Sequence, residues 1–192
     1  MSTLSGASPS SSSRHGGTHD VFLSFRGEDT RKTFTGHLYT ALVQAGIRTF
    51  RYDDALHRGE DIALSLSKAI QESKISLVVF SKNYASSTWC LDELVMILER
   101  RKMGQIVVPV FYDIDPLEVR KQTGNYAYDF ARHGERFNGE TDKVIKWRGA
   151  LTEAANLSGW SLKDVANGYV VLFLDLFKLI LHNMKYELSD HR

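Results

Sequence analysis

Glu93 stands in the stretch NYASSTWCLDEL, four residues after Trp89 and three after Cys90, the only cysteine of the chain. A carboxylate in this setting has two uses. If Ser87 or Thr88 caps a helix, Asp92 and Glu93 fall in its first turn and gain ~0.3 to 1 kcal/mol from the helix dipole. Alternatively, the carboxylate stabilises positive charge developing in a transition state, a role worth several orders of magnitude in rate. Trp89 offers a flat face for stacking and cation–π contact, or packs at the helix start. Ser87 can hydrogen-bond a substrate or serve only as the cap. Phe25, Arg26 and Gly27 close a β-type run, where glycine permits close backbone approach and a guanidinium can grip a pyrophosphate. Arg31 lies one turn further on. For both arginines the alternative is a surface salt-bridge network with Glu28 and Asp29. Cys90 has no partner pattern for a nucleophile and suits a small buried hydrophobe. The seven histidines show no metal-ligand pairing such as HExxH, and neither GxGxxG nor a Walker lysine loop occurs.

These residues need a scaffold, and the pattern from Asp20 onward supplies one. Short β-branched or aromatic runs, VFLSF, IRTF, ISLVVF and IVVPVFY, alternate with helical patterns, which argues for βαβ units and a parallel sheet. TRKTFTGHLYTALVQAG, DIALSLSKAIQESK and WCLDELVMILERRKMG fill the three gaps as helices. On the third helix Leu91, Leu94, Val95 and Leu98 form the expected core stripe, with Trp89, Glu93, Met96 and Arg100 opposite, so Glu93 is expected to face away from the core. Pro109 cannot donate to a ladder, which puts the fourth strand near an edge. A short fifth strand around SGWSL and a last helix from about Gly168 to Tyr186 complete a doubly wound α/β sheet. In such sheets ligands bind beyond the carboxyl ends of the strands, and the loops there are polar: RGEDTR, RYDDALHRGED, SKNYASSTW and DIDPLEVRKQTG.

Composition narrows the partners. Lys and Arg number 24 against 23 Asp and Glu among 192 residues, so a net charge of +1 gives no global field for nucleic acid or an anionic membrane. One cysteine excludes an internal disulfide and fits a reducing compartment, so a cytoplasmic protein, or one also nuclear, is expected. Residues 1–18 form a Ser-rich arm expected to be disordered, residues 19–186 the domain, and residues 187–192 a tail leading toward a further domain. YVVLFLDLFKLIL is interrupted by Asp175 and Lys178 and is too short to span a bilayer.

The segments HDVFLSFRGEDTRKTFTGHLYTAL, GIRTF, RGEDI, SKAIQESKISLVVFSKNYASSTWCLDEL, VVPVFYDIDPLEVRKQTG and KWRGALTEAANLSGW, taken in order, resemble a plant TIR (Toll/interleukin-1 receptor) domain. The resemblance covers roughly His19 to Leu162. It implies the amino-terminal module of a nucleotide-binding, leucine-rich-repeat disease resistance protein, with a flavodoxin-like sheet of five parallel strands and helices on both faces. It further implies self-association, contact with other TIR domains, and hydrolysis of NAD+ or NADP+ as substrate at the nicotinamide glycosidic bond, with no cofactor and no metal. Glu93 occupies the position of the family's catalytic glutamate. A single carboxylate suffices for this chemistry, because cationic nicotinamide departs neutral and needs no acid.

The resemblance also bears on association. The loop YDDALHRGEDIAL matches one that gates the site and contacts a neighbour. His37 matches the histidine of a Ser-His pair at a symmetric interface, with Gly36 in place of the serine; as an exposed polar residue on an amphipathic helix His37 has an ordinary role as well. The last helix, with Phe177 among its many apolar residues, is either deeply buried or awaits a partner helix. The competing function is a non-enzymatic homotypic docking module of an immune receptor. A phospho-receiver or flavin protein of the same topology fits worse, since FSKNYA, which ends the third strand, lacks a phosphoacceptor aspartate and the first loop is not a flavodoxin phosphate loop.

Overall fold

Five parallel strands, β1 (His19–Phe25), β2 (Thr49–Phe50), β3 (Ser73–Phe80), β4 (Ile106–Phe111) and β5 (Trp160–Ser161), form a sheet of order β2-β1-β3-β4-β5. The computed structural model describes residues 18–52, 62–137, 141–163 and 168–189. The expected arm before residue 18, residues 53–61 of the expected gating loop and the last three residues of the expected tail lie outside them.

The three inner strands, β1, β3 and β4, are buried on both faces, and the period of two divides their side chains between two cores. Phe22, Val78, Phe80 and Phe111 belong to one cluster, together with Leu66, Ile70, Leu91, Leu94 and Trp147 from the helices. Val21, Leu23, Ile75, Leu77, Val79 and Val108 belong to the other, with Phe34, Leu38, Leu172, Leu176 and Ile180. The helices of the first face are α3 (Ile62–Glu72), α4 (Thr88–Arg101), α5 (Pro116–Lys121), α6 (Asn125–Arg136) and α7 (Thr141–Ala155). The second face carries α2 (Phe34–Gln44) and α8 (Gly168–Ser189), α2 being preceded by the single turn α1 (Gly27–Thr30). Ser24 falls in the even register of β1, on the face that α4 covers.

Pro109 is accommodated as its chemistry requires. On one side it pairs with Val78, while β5 joins the ladder only at Val110 and Phe111. Gly159 lies against Pro109 just before β5, and a Cβ there would come 2.2 Å from the Pro109 carbonyl oxygen. The strand is thus next to the edge, as the sequence implies.

Helices α5 to α7, which the strand and helix patterns above leave unassigned, fill the connection from β4 to β5. Asp115 caps α5 by accepting from the Leu117 amide at 2.7 Å, and Pro116 occupies its first turn.

Glu93 is the main correction. It is only 9% exposed and shares the inward face of α4 with Cys90, Leu91, Leu94, Ile97 and Leu98. At about 100° per residue, Cys90 and Ile97 shift the centre of the stripe toward Glu93, whereas a stripe drawn through Val95 points it outward. Trp89 is 54% exposed, as its place on the outer side demands.

Phe177 is half-buried and packs against the core cluster of its face. The exposed apolar stripe of α8 is formed instead by Val170, Val171, Leu174 and Leu181. Among the described residues no helix is long and apolar enough to cross a membrane.

Candidate active site

The carboxyl end of β1 and the amino end of α4 enclose a cavity of about 200 Å³. Phe25, Gly27 and Arg31 contribute from the end of β1 and the turn after it, Ser87, Trp89 and Glu93 from the start of α4, with Tyr52 and Leu66 opposite. This is where a doubly wound sheet places its ligands, because consecutive loops there splay to opposite faces. A second cavity, of about 350 Å³, lies between Ser86 and α6 and has no strand end in its wall.

Glu93 is held from below. Ser24 Oγ lies 3.0 Å from its Oε2 and 3.0 Å from Tyr84 Oη, and the Tyr84 hydroxyl donates to the Cys90 carbonyl at 3.0 Å. Burial pushes the Glu93 carboxyl up to about 7, partly opposed by the Ser24 hydrogen bond. A buried acid poised near neutrality at a cavity wall is a recurrent mark of a functional site. The Tyr84 phenol is driven well above its usual range by burial, so it stays a neutral donor. Burial and the neighbouring Glu93 carboxylate push the Cys90 thiol up to about 12, which removes it as a nucleophile.

The remaining predicted residues divide. Ser87 caps α4, its hydroxyl accepting from the Cys90 amide at 3.3 Å, and also lines the cavity. Trp89 is too exposed to be a packing residue and stands at the rim. Arg31 crosses above Gly27, where a Cβ would meet its Nη2 at 2.4 Å, and lies 5.9 Å from the Phe25 ring centre. Glycine at 27 therefore gives the Arg31 guanidinium its place over the cavity.

Arg26 does not line the cavity. Its guanidinium pairs with Glu28 and reaches Asp29 at 3.5 Å. Asp29 in turn accepts from the Ser81 hydroxyl at 2.6 Å and from the Asn83 amide at 3.1 Å. The salt-bridge alternative thus holds for Arg26, where it ties the loop after β1 to the loop after β3.

Sequence reasoning missed Ser24, Tyr84, Tyr52 and Leu66. Ser24 carried a signal, as a lone hydroxyl inside the apolar run VFLSF. Tyr84 carried none, since only the folding back of the turn after β3 brings it to a residue 60 positions away.

His37 is exposed on α2. Gly36 packs against the turn before that helix, and a Cβ there would come 2.4 Å from the Arg31 carbonyl oxygen. The departure from serine is therefore enforced by backbone in contact. Gly36→Ser should force this turn apart and lower stability by about 1 to 3 kcal/mol, read as a fall in Tm. An unchanged Tm would show that the turn yields freely.

Among the described residues, no three His, Cys, Asp or Glu side chains stand close enough to hold a metal ion.

The model of the TIR domain family matches residues 18–178. Disease resistance protein RUN1 of Vitis rotundifolia is 60% identical over 151 residues, covering 77% of this chain and 11% of that protein. TMV resistance protein N of Nicotiana glutinosa is 53% identical over 154 residues, 80% of this chain and 13% of that protein. The chain thus spans only about a tenth of the length of these curated relatives. Among solved structures, the TIR domains of the activated Roq1 resistosome, which directly recognises the pathogen effector XopQ, superpose with a TM-score of 0.79 at 55% identity, covering 85% of this chain and 99% of that one. The TIR domain of the Toll-related receptor TRR-2 from Hydra magnipapillata shares the fold alone, with a TM-score of 0.55 at 18% identity, over 85% of this chain and 98% of that one.

Proposed function

Because the chain belongs to the TIR domain family and its relatives are plant disease resistance proteins, we propose that it is an NAD+ or NADP+ glycohydrolase that signals immune defence and cell death once copies assemble. The observation that carries this reading is the buried Glu93 carboxyl in the wall of a cavity whose rim holds Trp89 and Arg31. The cationic nicotinamide ring meets Trp89 by stacking, and Arg31 offers a bidentate partner to the pyrophosphate.

The C1′–N bond breaks with its electron pair passing to the ring nitrogen, so nicotinamide leaves neutral. Positive charge moves onto the ribose carbon, where ionised Glu93 stabilises it at short range in a poorly hydrated pocket. Water then adds to C1′ and releases a proton, giving ADP-ribose or its 2′-phosphate.

A docking role on its own draws support from the stripe of Val170, Val171, Leu174 and Leu181 on α8. That stripe serves assembly of the enzyme equally well. Incubating concentrated protein with NAD+ and separately with NADP+, and following nicotinamide by chromatography, tests the hydrolase reading. Release of nicotinamide is expected, with KM raised roughly tenfold in Trp89→Ala through lost stacking. No release from the concentrated protein would leave docking as the function.

A further inference from the structure

We propose that Ser24 and Tyr84 are positioning residues for Glu93, joined to it in a hydrogen-bond chain whose Glu93–Ser24 bond reverses direction when the carboxyl ionises. The proposal rests on the reading of Glu93 as the catalytic group and adds how its charge is controlled.

Three contacts of 3.0 Å link Glu93 Oε2, Ser24 Oγ, Tyr84 Oη and the Cys90 carbonyl oxygen in series. Ser24 and Tyr84 are fully buried, so no bulk water supplies an alternative partner. The Cys90 oxygen can only accept, so its contact uses the single Tyr84 proton. If Ser24 donates to Glu93, its contact with Tyr84 is left without a hydrogen; if Glu93 carries a proton and donates to Ser24, the Ser24 proton is free for Tyr84. The neutral acid thus completes all three bonds. When Glu93 is an anion, Ser24 turns to donate to it, Tyr84 keeps its bond to the Cys90 carbonyl, and the contact between Ser24 and Tyr84 goes without a hydrogen. The anion keeps two bonds, one of them charge-assisted.

The groups around the chain do not supply a competing proton. The Cys90 thiol on the same helix directs its hydrogen to the Phe25 carbonyl, and the Tyr126 phenol of α6 donates to the Ser81 carbonyl. Arg26 and Asp29 are engaged with each other across the loop. Tyr52 and Arg31 line the cavity, and α3 presents the apolar Leu66. The chain engages Oε2, which leaves Oε1 for a ligand. A pyridinium cation entering the cavity favours the anion, so substrate binding itself would drive the reversal.

The test is a carbon-13 NMR titration of the Glu93 carboxyl in the ligand-free domain, assigned by loss of the signal in Glu93→Gln. Wild type should titrate near neutrality. In Ser24→Ala the anion loses a charge-assisted donor, whereas the neutral acid can turn its hydrogen into the cavity through Oε1, so the midpoint should rise by about one pH unit, a tenfold gain in proton affinity. In Tyr84→Phe the neutral acid loses two bonds and the anion one, so the midpoint should fall. Opposite shifts support the reversing chain, because a loosened packing would move both variants the same way. Shifts of the same sign, or no shift in either, overturn it. If Ser24→Ala fails to fold, the sign of the Tyr84→Phe shift decides alone. The titration needs no turnover: opposite shifts in a protein that releases no nicotinamide would sink the hydrolase reading and leave the chain intact.

Discussion

Glu93→Gln should abolish nicotinamide release while making the domain more stable above neutral pH. The loss of turnover is expected to reach two orders of magnitude or more, since the glutamine amide cannot balance charge on the ribose carbon. The stability gain follows from linkage. Burial raises the Glu93 carboxyl from an ordinary 4.5 to about 7, so the native state holds its proton where the unfolded chain has lost it. Below pH 4.5 the acid is neutral in both states and costs nothing by ionising. As pH rises from 4.5 through about 7, the unfolded state ionises first and folding weakens. Above 7 the full penalty applies, on the order of 3 kcal/mol. Glutamine does not titrate and accepts from Ser24 in the same place. Denaturation at several pH values should therefore give curves that meet near pH 4 and separate above pH 7, with the variant the more stable. A variant less stable than wild type at pH 8 would mean that Glu93 anchors the fold.

Tethering copies of the domain in a dense array should raise cleavage per molecule by an order of magnitude or more over dilute protein. The cavity opens at a rim where Trp89 is more than half exposed, so water competes for the substrate in an isolated copy. A stripe of four exposed apolar residues on α8, Val170, Val171, Leu174 and Leu181, gives a neighbour a surface to cover. That contact is small, so association should be weak until effective concentration reaches the millimolar range. Leu174→Glu, on the outer side of α8 at 56% exposure, should blunt the gain without unfolding the domain. Constant turnover per molecule from dilute solution to the array would indicate a self-sufficient monomer.

Much of the scaffold was legible in the sequence because strand and helix periodicities are local. Four apolar runs marked β1 to β4, and Pro109 fixed β4 beside the edge through its missing amide. The helices between β4 and β5 were harder, although Asp115 followed by Pro116 was a readable start signal. At the site, types and neighbours were legible but orientations were not. The sense of Glu93 depends on counting Cys90 and Ile97 into the stripe of α4, a shift of less than one turn that turns an outward carboxylate into a buried one. Arg26 and Arg31 have the same type and lie in the same loop, yet Asp29 captures the first and Gly27 makes room for the second. Such choices rest on side-chain packing across the sheet, which no spacing encodes. Phe177 shows the same gap, since an apolar helix does not reveal which of its residues meet the core.

The most direct test of Glu93 as the catalytic group is nicotinamide release from NAD+ at pH 8 by tethered wild-type protein beside tethered Glu93→Gln. Steady release by wild type and none above background by the folded variant is the predicted result. Equal release from the two proteins, or none from either, would contradict it.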